Sequence, residues 1–458
     1  MIHAGKFEDI YFILDVESGS LFQVDEIGYE AGRLMEKGEQ KIEERLASRY
    51  GAEAAREITE ELEELRAQGL LDSPCLADKK APVFQAPVVK SLCLHIAHDC
   101  NLRCSYCFAS EGTYMGKRAL MSEEVARAAL DFLMEQSGGR KHLEVDFFGG
   151  EPLINFGVVK EAVRYGRELE KKYGKIIRFT MTTNAYHVTD EMVEFINREM
   201  KNLVISIDGR KEIHDAERKN AAGKGSYETV LKNAKRLIAA RGDKEYYIRG
   251  TYTARNLDFS EDVLSIADNG FDEISLEPVV AEGELALREE HLDQIGREYD
   301  KLGKILLERR REGRPFHFFH FMVDFSSGPC LNKRLRGCGA GTEYAAITPE
   351  GDIYPCHQFV GIEPFKMGNV LSGQFDKAVG ESFLGCHVYA KPECDACFAK
   401  YFCSGGCAAN AYKTNGNIMK PHKISCEIQR RRLDTAMGLY IAKKAEEAVA
   451  PVDKDASL

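Results

Sequence analysis

The residues with the clearest chemical potential are three closely spaced cysteines, Cys100, Cys104 and Cys107. Each thiolate binds one iron of an iron–sulfur cluster, so three thiolates leave one iron of a [4Fe–4S] cube free to bind a substrate or a second cofactor. A catalytic zinc site keeps one position open in the same way. A zinc site or a chance grouping is the alternative. The spacing favours the cube and makes these cysteines candidate catalytic residues as well as metal ligands.

A second group of cysteines lies in the last third of the chain. Seven of them occur in a regular order around Gly351, namely Cys338, Cys356, Cys394, Cys397, Cys403, Cys407 and Cys426. Two sites of four thiolates need eight ligands, and Cys330 is the nearest further candidate, with Cys386 in reserve. Zinc is the competing interpretation, because Cys-x2-Cys pairs also bind zinc.

The elements that must position the first three cysteines are strands separated by helices. Apolar runs predict six strands at Leu92 to Ile96, Leu143 to Phe148, Ile177 to Met181, Leu203 to Ile207, Tyr246 to Tyr252 and Ile274 to Leu276. A helix with Ser122 as its N-cap follows the first run. This alternation predicts a parallel sheet, either doubly wound or a partial barrel, with ligands at the carboxyl ends of the strands.

The first 80 residues differ from the rest. Strands at Ile10 to Val16 and Leu21 to Val24 predict a hairpin, and three helical stretches follow, at Ile27 to Met35, Ile42 to Tyr50 and Ala54 to Leu65. The pattern indicates a small winged-helix-like unit. This region holds ten Lys and Arg against 19 Asp and Glu. A nucleic-acid partner would require the opposite charge, so we expect none.

The composition is that of a soluble globular protein. The chain has 458 residues, 44% of them hydrophobic and 29% charged, with a net charge of −11. No apolar stretch approaches the roughly 20 residues of a membrane helix, and the start lacks a basic and apolar leader. We therefore expect a cytoplasmic protein without a membrane partner. Thiols stay reduced in the cytoplasm, so the fourteen cysteines are better explained by metal binding than by disulfides.

The first cysteine group resembles that of the radical S-adenosylmethionine (SAM) superfamily, which carries Cys-x3-Cys-x-aromatic-Cys, with Tyr106 as the aromatic residue. In that family SAM chelates the open iron, and the reduced cluster cleaves it to a 5′-deoxyadenosyl radical. Further positions match SAM-binding residues of the family. By this resemblance, Gly149, Gly150 and Glu151 receive the SAM amino group, Ser206 and Asp208 lie near its ribose and carboxylate, Arg218 binds the carboxylate and Leu276 contacts the adenine.

The second cysteine group is similar to the SPASM extension of these enzymes, which holds two auxiliary [4Fe–4S] clusters. The resemblance implies two ligand sets, Cys330, Cys338, Cys356 and Cys407 for the first cluster and Cys394, Cys397, Cys403 and Cys426 for the second. If Cys330 does not bind, an open iron is available to a substrate thiolate. His357 stands where related sulfatase maturases carry a catalytic Asp, so it is a candidate base or a structural histidine.

The order of the parts resembles maturases of the six-cysteine peptides called SCIFF, which join a cysteine sulfur to the α-carbon of another residue, usually threonine. The predicted fold is α/β: a leader-peptide recognition element (1–78), a linker (79–88), a partial (β/α)6 radical SAM barrel (89–315), a cysteine-rich SPASM domain (316–430), and a C-terminal helix and tail (431–458). An acidic recognition element suits a basic leader, captured as an added strand.

This resemblance implies thioether formation in a cysteine-rich precursor peptide, with three [4Fe–4S] clusters, SAM, and an electron donor such as ferredoxin or flavodoxin. Other peptide oxidations on the same scaffold, formylglycine formation or a carbon–carbon crosslink, are the first alternative. A non-enzymatic electron carrier or a zinc-bound adaptor is the second.

Overall fold

The acidic N-terminal unit contains one strand more than the sequence predicted. A computed structural model describes residues 1–75, 78–79, 88–114, 116–326 and 329–449. The unit consists of strands β1 (Ile2–Phe7), β2 (Ile10–Asp15) and β3 (Leu21–Val24), followed by helices α1 (Glu26–Glu36), α2 (Ile42–Tyr50) and α3 (Ala52–Ala67). The strands form an antiparallel sheet in that order, which confirms the predicted hairpin and the three helices.

The central strands confirm the predicted parallel sheet. They are β4 (Ser91–His98), β7 (His142–Gly149), β8 (Ile176–Thr183), β9 (Met200–Ser206), β11 (Glu245–Tyr252) and β12 (Glu273–Pro278). Each is parallel to its neighbour, and they lie side by side in the order of the sequence. A doubly wound sheet reverses its strand order at one point, and this sheet does not. The order therefore favours the single winding of a partial barrel.

Helices connect these strands and cover the sheet. They are α4 (Glu123–Gln136), α5 (Phe156–Tyr173), α6 (Asp190–Glu199), α7 (Lys211–Glu217), α8 (Tyr227–Ala239), α9 (Phe259–Asp268) and α10 (Leu292–Arg311). Helix α4 begins where the sequence predicted, because the Ser122 side chain accepts a hydrogen bond from the Val125 amide. Three short strands complete this region: β5 (Leu102–Cys104), β6 (Ala119–Leu120) and β10 (Arg218–Asn220).

The cysteine-rich region continues the same sheet. Its strands are β13 (His317–Phe318), β14 (Tyr344–Ile347), β15 (Asp352–Tyr354), β16 (Gly368–Asn369) and β17 (Gln374–Phe375). Strand β13 pairs with β12, and β14 pairs in parallel with β4. In the described residues the sheet thus has 12 strands and crosses the predicted division at residues 315 and 316.

The helices of this region are short, except for the last. They are α11 (Leu331–Arg336), α12 (Ala378–Leu384), α13 (Pro392–Asp395), α14 (Lys400–Cys403), α15 (Ala408–Asn415) and α16 (Lys423–Val449). The predicted division at residues 430 and 431 falls inside α16, so the cysteine at position 426 lies on this helix. Most of the predicted linker and the tail beyond residue 449 lie outside the described residues. No described helix has both the length and the apolar character needed to cross a bilayer.

Candidate SAM and iron–sulfur sites

The carboxyl ends of the central strands surround a cavity of about 380 Å³. Ten of the predicted site residues line it: Cys100, Cys104, Tyr106, Cys107, Gly149, Gly150, Glu151, Ser206, Arg218 and His357. Two others do not. Asp208 is fully buried beneath the cavity wall, and Leu276 is buried in the hydrophobic core. The cavity lies where a parallel α/β sheet binds its ligands.

The three-cysteine loop leaves the end of β4 and is held by a short strand pair. Strand β5 pairs with β10 so that Cys104 lies opposite Arg218. Burial raises the pKa of Cys100 to about 12 and that of Cys104 to about 11, and the Arg218 charge opposes the rise at Cys104. Without a metal, burial thus favours the protonated thiols. A bound metal would favour the thiolates instead, because its charge deprotonates a coordinating thiol. Three thiols of one loop that all face a cavity fit a cluster with one open iron.

Gly149 and Gly150 bring the backbone against the cysteine loop. The amide of Gly150 donates to the Ala97 carbonyl at 2.7 Å. A Cβ at Gly150 would lie 2.1 Å from the Asp99 oxygen, so no larger residue fits without movement of the backbone. Gly149 has a φ of 125°, which side-chain-bearing residues rarely adopt. The two glycines therefore allow a close approach to the protein's own backbone.

Glu151 is 2% exposed and hydrogen-bonded on both carboxylate oxygens. Oε1 accepts from the Leu153 amide at 3.1 Å and from the Thr183 hydroxyl at 2.7 Å, and Oε2 accepts from the Asn184 amide at 2.8 Å. Burial raises its pKa to about 7, although these donors oppose the rise. A carboxylate has about four acceptor positions, so one on Oε2 remains for a further donor such as an ammonium group.

Asp208 orients Arg218 from below the cavity. Its Oδ2 accepts from Arg218 Nε at 2.9 Å and from the Tyr106 hydroxyl at 2.6 Å, while Oδ1 accepts from the Thr251 amide at 3.0 Å. The pair is almost completely buried. The sequence placed Asp208 close to the ligand itself; the geometry gives it a positioning role behind Arg218 and Tyr106, which both line the cavity.

The opposite wall of the cavity contains polar residues that the sequence analysis did not identify. They include Asp146, Arg249, Glu277 and Tyr344. Asp146 Oδ1 accepts from the Thr180 hydroxyl at 2.8 Å, and burial raises the pKa of Asp146 to about 6. Arg249 lies 3.4 Å from a Glu277 oxygen. Asp146, Arg249 and Glu277 lie in strands that carry other charged residues as well, so nothing in the local sequence singles them out.

His357 also faces this wall. Its Nδ1 lies 3.3 Å from the Tyr344 hydroxyl, and burial lowers the pKa of His357 to about 3. The imidazole is therefore neutral at neutral pH in the cluster-free protein.

Only three of the four cysteines of the first predicted auxiliary site lie near one another. Cys338, Cys356 and Cys407 interact electrostatically with one another. Cys330 is exposed at the start of α11, next to residues 327 and 328, which are outside the described part of the chain. Cys386 is buried, and its thiol donates to the Ile418 carbonyl at 3.3 Å.

All four cysteines of the second predicted auxiliary site lie around one cavity. Cys394, Cys397, Cys403 and Cys426 all line a second cavity of about 370 Å³. Burial raises the pKa of Cys394 to about 12 and that of Cys426 to about 11, with further contributions from the neighbouring thiols. Four thiols around one cavity match the ligand number of a complete [4Fe–4S] cluster.

A zinc ion and a four-iron cluster require different spacings of their thiolate ligands. Among the described residues, no group of three or more His, Cys, Asp or Glu side chains is arranged to hold a single metal ion. A zinc ion requires about four ligands within roughly 2.3 Å of one centre. In a four-iron cluster each thiolate binds a different iron, so the sulfurs stand further apart.

Comparison with protein families assigns the central region. Residues 94–253 match the family described as the radical SAM superfamily. These residues are similar to that superfamily, and a match to it implies a [4Fe–4S] cluster and SAM. The chain has the α/β fold of the solved structures described below. Residues 11–71 match the family described as coenzyme PQQ synthesis protein D (PqqD).

Several curated relatives align with most of the chain. One is a cysteine-type anaerobic sulfatase-maturating enzyme of Clostridium novyi, 26% identical over 72% of this chain and 92% of the relative. Another is the radical SAM cyclopropyl synthase TigE of Paramaledivibacter caminithermalis, 22% identical over 75% of this chain and 72% of the relative.

Two solved structures share the fold. The structure of anSMEcpe with bound AdoMet and the Cp18Cys peptide is 19% identical and covers 79% of this chain and 100% of its own, with a TM-score of 0.64. Streptococcus suis SuiB bound to its precursor peptide SuiA is 16% identical and covers 92% of this chain and 99% of its own, with a TM-score of 0.54.

Proposed function

We propose that the protein is a radical SAM oxidoreductase that modifies a ribosomally made peptide. The observation that carries the proposal is the single cavity in which Cys100, Cys104 and Cys107 face Glu151 and Arg218. The three thiols would hold a [4Fe–4S] cluster. When bound, the cluster and SAM supply a carbon-centred radical that abstracts a hydrogen atom from the peptide.

The cavity residues would bind and orient SAM. Glu151 has one acceptor position free for the SAM ammonium. Arg218, held by Asp208, would bind the carboxylate through its terminal nitrogens, because guanidinium is suited to carboxylate binding. Ser206 lines the cavity and would lie near the ribose. Leu276, buried behind Gly250, would support the adenine region indirectly.

The two further cysteine sets would hold auxiliary clusters. The second set, Cys394, Cys397, Cys403 and Cys426, already surrounds one cavity. The first would use Cys338, Cys356 and Cys407, with Cys330 as the fourth ligand. If Cys330 stays exposed, this site offers an open iron for a substrate thiolate, and a bound metal lowers the pKa of a thiol.

A peptide substrate is supported by the N-terminal unit and by the relatives. This unit combines a match to PqqD with a short outer strand, β3, at the edge of its sheet. A leader peptide would pair with such an edge and place its side chains against a helix. The solved relatives were crystallised with peptides. An electron donor such as ferredoxin or flavodoxin and a cytoplasmic location complete the proposal.

The reaction proposed first is the formation of a thioether between a cysteine sulfur and the α-carbon of another residue, with threonine as the proposed residue. The second candidate is formylglycine formation, because several relatives are sulfatase-maturating enzymes. His357 stands where related sulfatase maturases carry a catalytic aspartate, and this difference in residue type is the reason for placing the thioether first. Both reactions need a proton acceptor near the peptide, and Asp146 on the cavity wall is suited to that task.

The test starts with anaerobic reconstitution of the full chain. Three clusters predict about twelve irons per chain. With dithionite, the protein should convert SAM to 5′-deoxyadenosine, and replacement of Cys100, Cys104 and Cys107 by alanine should abolish this conversion. Zinc in place of iron, or iron without SAM cleavage, would reject the enzyme in favour of an adaptor or an electron carrier.

A candidate precursor peptide, to be sought in the reading frames beside the gene, would distinguish the reactions. A thioether removes two hydrogens and one alkylatable thiol from the peptide. A carbon–carbon crosslink removes two hydrogens and keeps every thiol. Formylglycine introduces an aldehyde that reacts with hydrazide probes. Intact mass, alkylation and hydrazide labelling of the same sample therefore decide between the three.

A further inference from the structure

The segment that supplies three cysteines of the second auxiliary set also holds the N-terminal unit. Cys394, Cys397 and Cys403 line the cavity. The residues between them contact the N-terminal region at Asp395, Phe398, Lys400 and Tyr401. The same ten residues therefore contain both the thiols and the docking residues, and Lys400 lines the cavity as well as contacting the N-terminal unit.

The centre of this contact is a buried ion pair. Lys400 Nζ donates to Glu17 Oε1 at 2.7 Å, and the Tyr401 hydroxyl donates to Glu17 Oε2 at 2.6 Å. The Lys400 side chain is 0% exposed and that of Glu17 is 6% exposed. Glu17 lies in the turn between β2 and β3. Removing one partner of a buried pair leaves an uncompensated charge, so each side depends on the other.

A second contact joins β1 to both parts of the cysteine site. The His3 ring stacks on Phe398 with centroids 3.5 Å apart. His3 Nε2 donates to Asp434 on α16 at 2.7 Å, and Nδ1 lies 2.9 Å from Glu36 on α1. Helix α16 also carries Cys426, the fourth cysteine of the set. His3 therefore bridges the two segments that provide the four thiols.

Weaker contacts surround this centre. The Tyr389 and Tyr401 hydroxyls lie 2.8 Å apart, and the Cys75 thiol donates to Tyr389 at 3.5 Å. Lys79 Nζ donates to Asp395 at 2.6 Å. These contacts extend the interface along the full length of the cysteine segment.

We propose that the N-terminal unit is a structural part of the second auxiliary site, and that it holds residues 394–403 in the conformation that binds the cluster. The inference rests on the proposed function, which supplies the cluster. Binding at two linked sites is reciprocal, so cluster occupancy must stabilise docking of the N-terminal unit by the same factor by which docking stabilises the cluster. Peptide recognition and cluster loading are thereby connected through Glu17 and His3.

The first experiment measures cluster retention. Lys400→Met and Glu17→Gln variants are reconstituted as full chains, and iron release to a chelator is followed by absorbance. We expect the iron of one cluster, about four of twelve atoms, to be released at least tenfold faster than in the unsubstituted protein. Lys400→Arg should restore slow release. Arg49→Ala, which removes an exposed ion pair with Glu26 elsewhere in the same unit, is the matched control and should not change release.

The second experiment measures whether the cluster stabilises docking of the N-terminal unit. It does not use the Lys400 and Glu17 variants, so it does not depend on their stability. Hydrogen exchange is compared between the iron-loaded chain and a Cys403→Ser chain. Exchange in β1 and in the turn that contains Glu17 should increase at least tenfold, whereas α2 and α3 should change much less.

The outcomes distinguish this inference from the proposed function. If the unsubstituted chain binds about twelve irons and cleaves SAM, but Lys400→Met releases iron normally or β1 exchange is unchanged by Cys403→Ser, the inference is wrong and the function stands. If the unsubstituted chain does not bind iron, the proposed function itself fails.

Discussion

Replacement of Glu151 by glutamine is the most direct test of the SAM site. The substitution keeps the size of the side chain and removes its charge. In the unsubstituted protein, Glu151 Oε1 accepts two hydrogen bonds and Oε2 accepts one. A glutamine at this position would keep its oxygen toward the two donors from Leu153 and Thr183. Its NH2 group would then point at the Asn184 amide, which is also a donor. Two donors then face each other, and the acceptor position assigned to the SAM ammonium is lost.

The expected loss of SAM affinity follows from the free energy that a hydrogen bond to a charged group contributes. Such a bond contributes about 1.5–3 kcal/mol, and each 1.4 kcal/mol corresponds to about tenfold in Kd. We expect Glu151→Gln to weaken SAM binding roughly 10- to 150-fold. The buried amide donor that loses its acceptor should also lower the free energy of unfolding by about 1–3 kcal/mol.

The pH dependence of SAM binding distinguishes a lost charge at position 151 from a purely structural defect. Burial raises the pKa of Glu151 to about 7, and the ammonium prefers the charged carboxylate. Binding to the unsubstituted protein should therefore weaken by up to about tenfold for each pH unit below 7. An α-amino group begins to lose its proton near pH 8. The glutamine variant should show no such dependence between pH 5.5 and 7.5.

The assay is anaerobic calorimetric titration of SAM into the reconstituted, unreduced protein. Glu111→Gln is the matched control, because Glu111 lines the same cavity but is largely exposed, and it should change Kd less than about twofold. If Glu151→Gln binds SAM as tightly as the unsubstituted chain and keeps its pH dependence, Glu151 does not receive the ammonium.

Three further predictions concern the same cavity. Arg218→Met should destabilise the fold by about 3–5 kcal/mol in chemical denaturation, because it strands the buried Asp208 carboxylate; an Arg218→Met and Asp208→Asn double variant should recover part of the loss. Asp146→Asn should remove the rise in peptide-product formation through about pH 6, because proton acceptance requires the charged carboxylate; an unchanged pH profile would exclude Asp146 as the acceptor. Gly150→Ala should abolish SAM binding in the same titration, because its Cβ would lie 2.1 Å from the Asp99 oxygen and displace the cysteine loop; binding at normal affinity would contradict the tight fit.

Local patterns predicted the central fold because its strands bury apolar residues either continuously, as in β4, or at alternating positions, as in β7 and β8. The six apolar runs became strands that extend one to three residues beyond their predicted ends at most positions, and Ser122 marked the start of α4. Strand β1 was not predicted, because Ala4 and Gly5 have little strand propensity and their packing depends on distant partners. Strand β14 was not predicted either, because Tyr344 to Ile347 is short and becomes a strand only beside β4.

The parts of the candidate site that could be predicted are those whose residues lie close together in the sequence at a characteristic spacing. The cysteine groups and the Gly-Gly-Glu sequence are local signals, and the structure places them around cavities. Asp146, Arg249 and Tyr344 come from three separate strands, and only the parallel pairing brings them to one wall. The contact of His3 with Phe398 joins residues almost 400 positions apart, so no local pattern indicates it.

The two ends of the 12-stranded sheet have a consequence for the newly made chain. Strands β13 and β17 form the outer edges, and each has two residues. A short edge exposes few free backbone groups to which another molecule could pair, which is how natural sheets avoid aggregation. A chain that has not yet received its iron lacks the stabilisation that metal binding gives to a folded protein. The short edges should keep such chains separate in solution until their clusters are assembled.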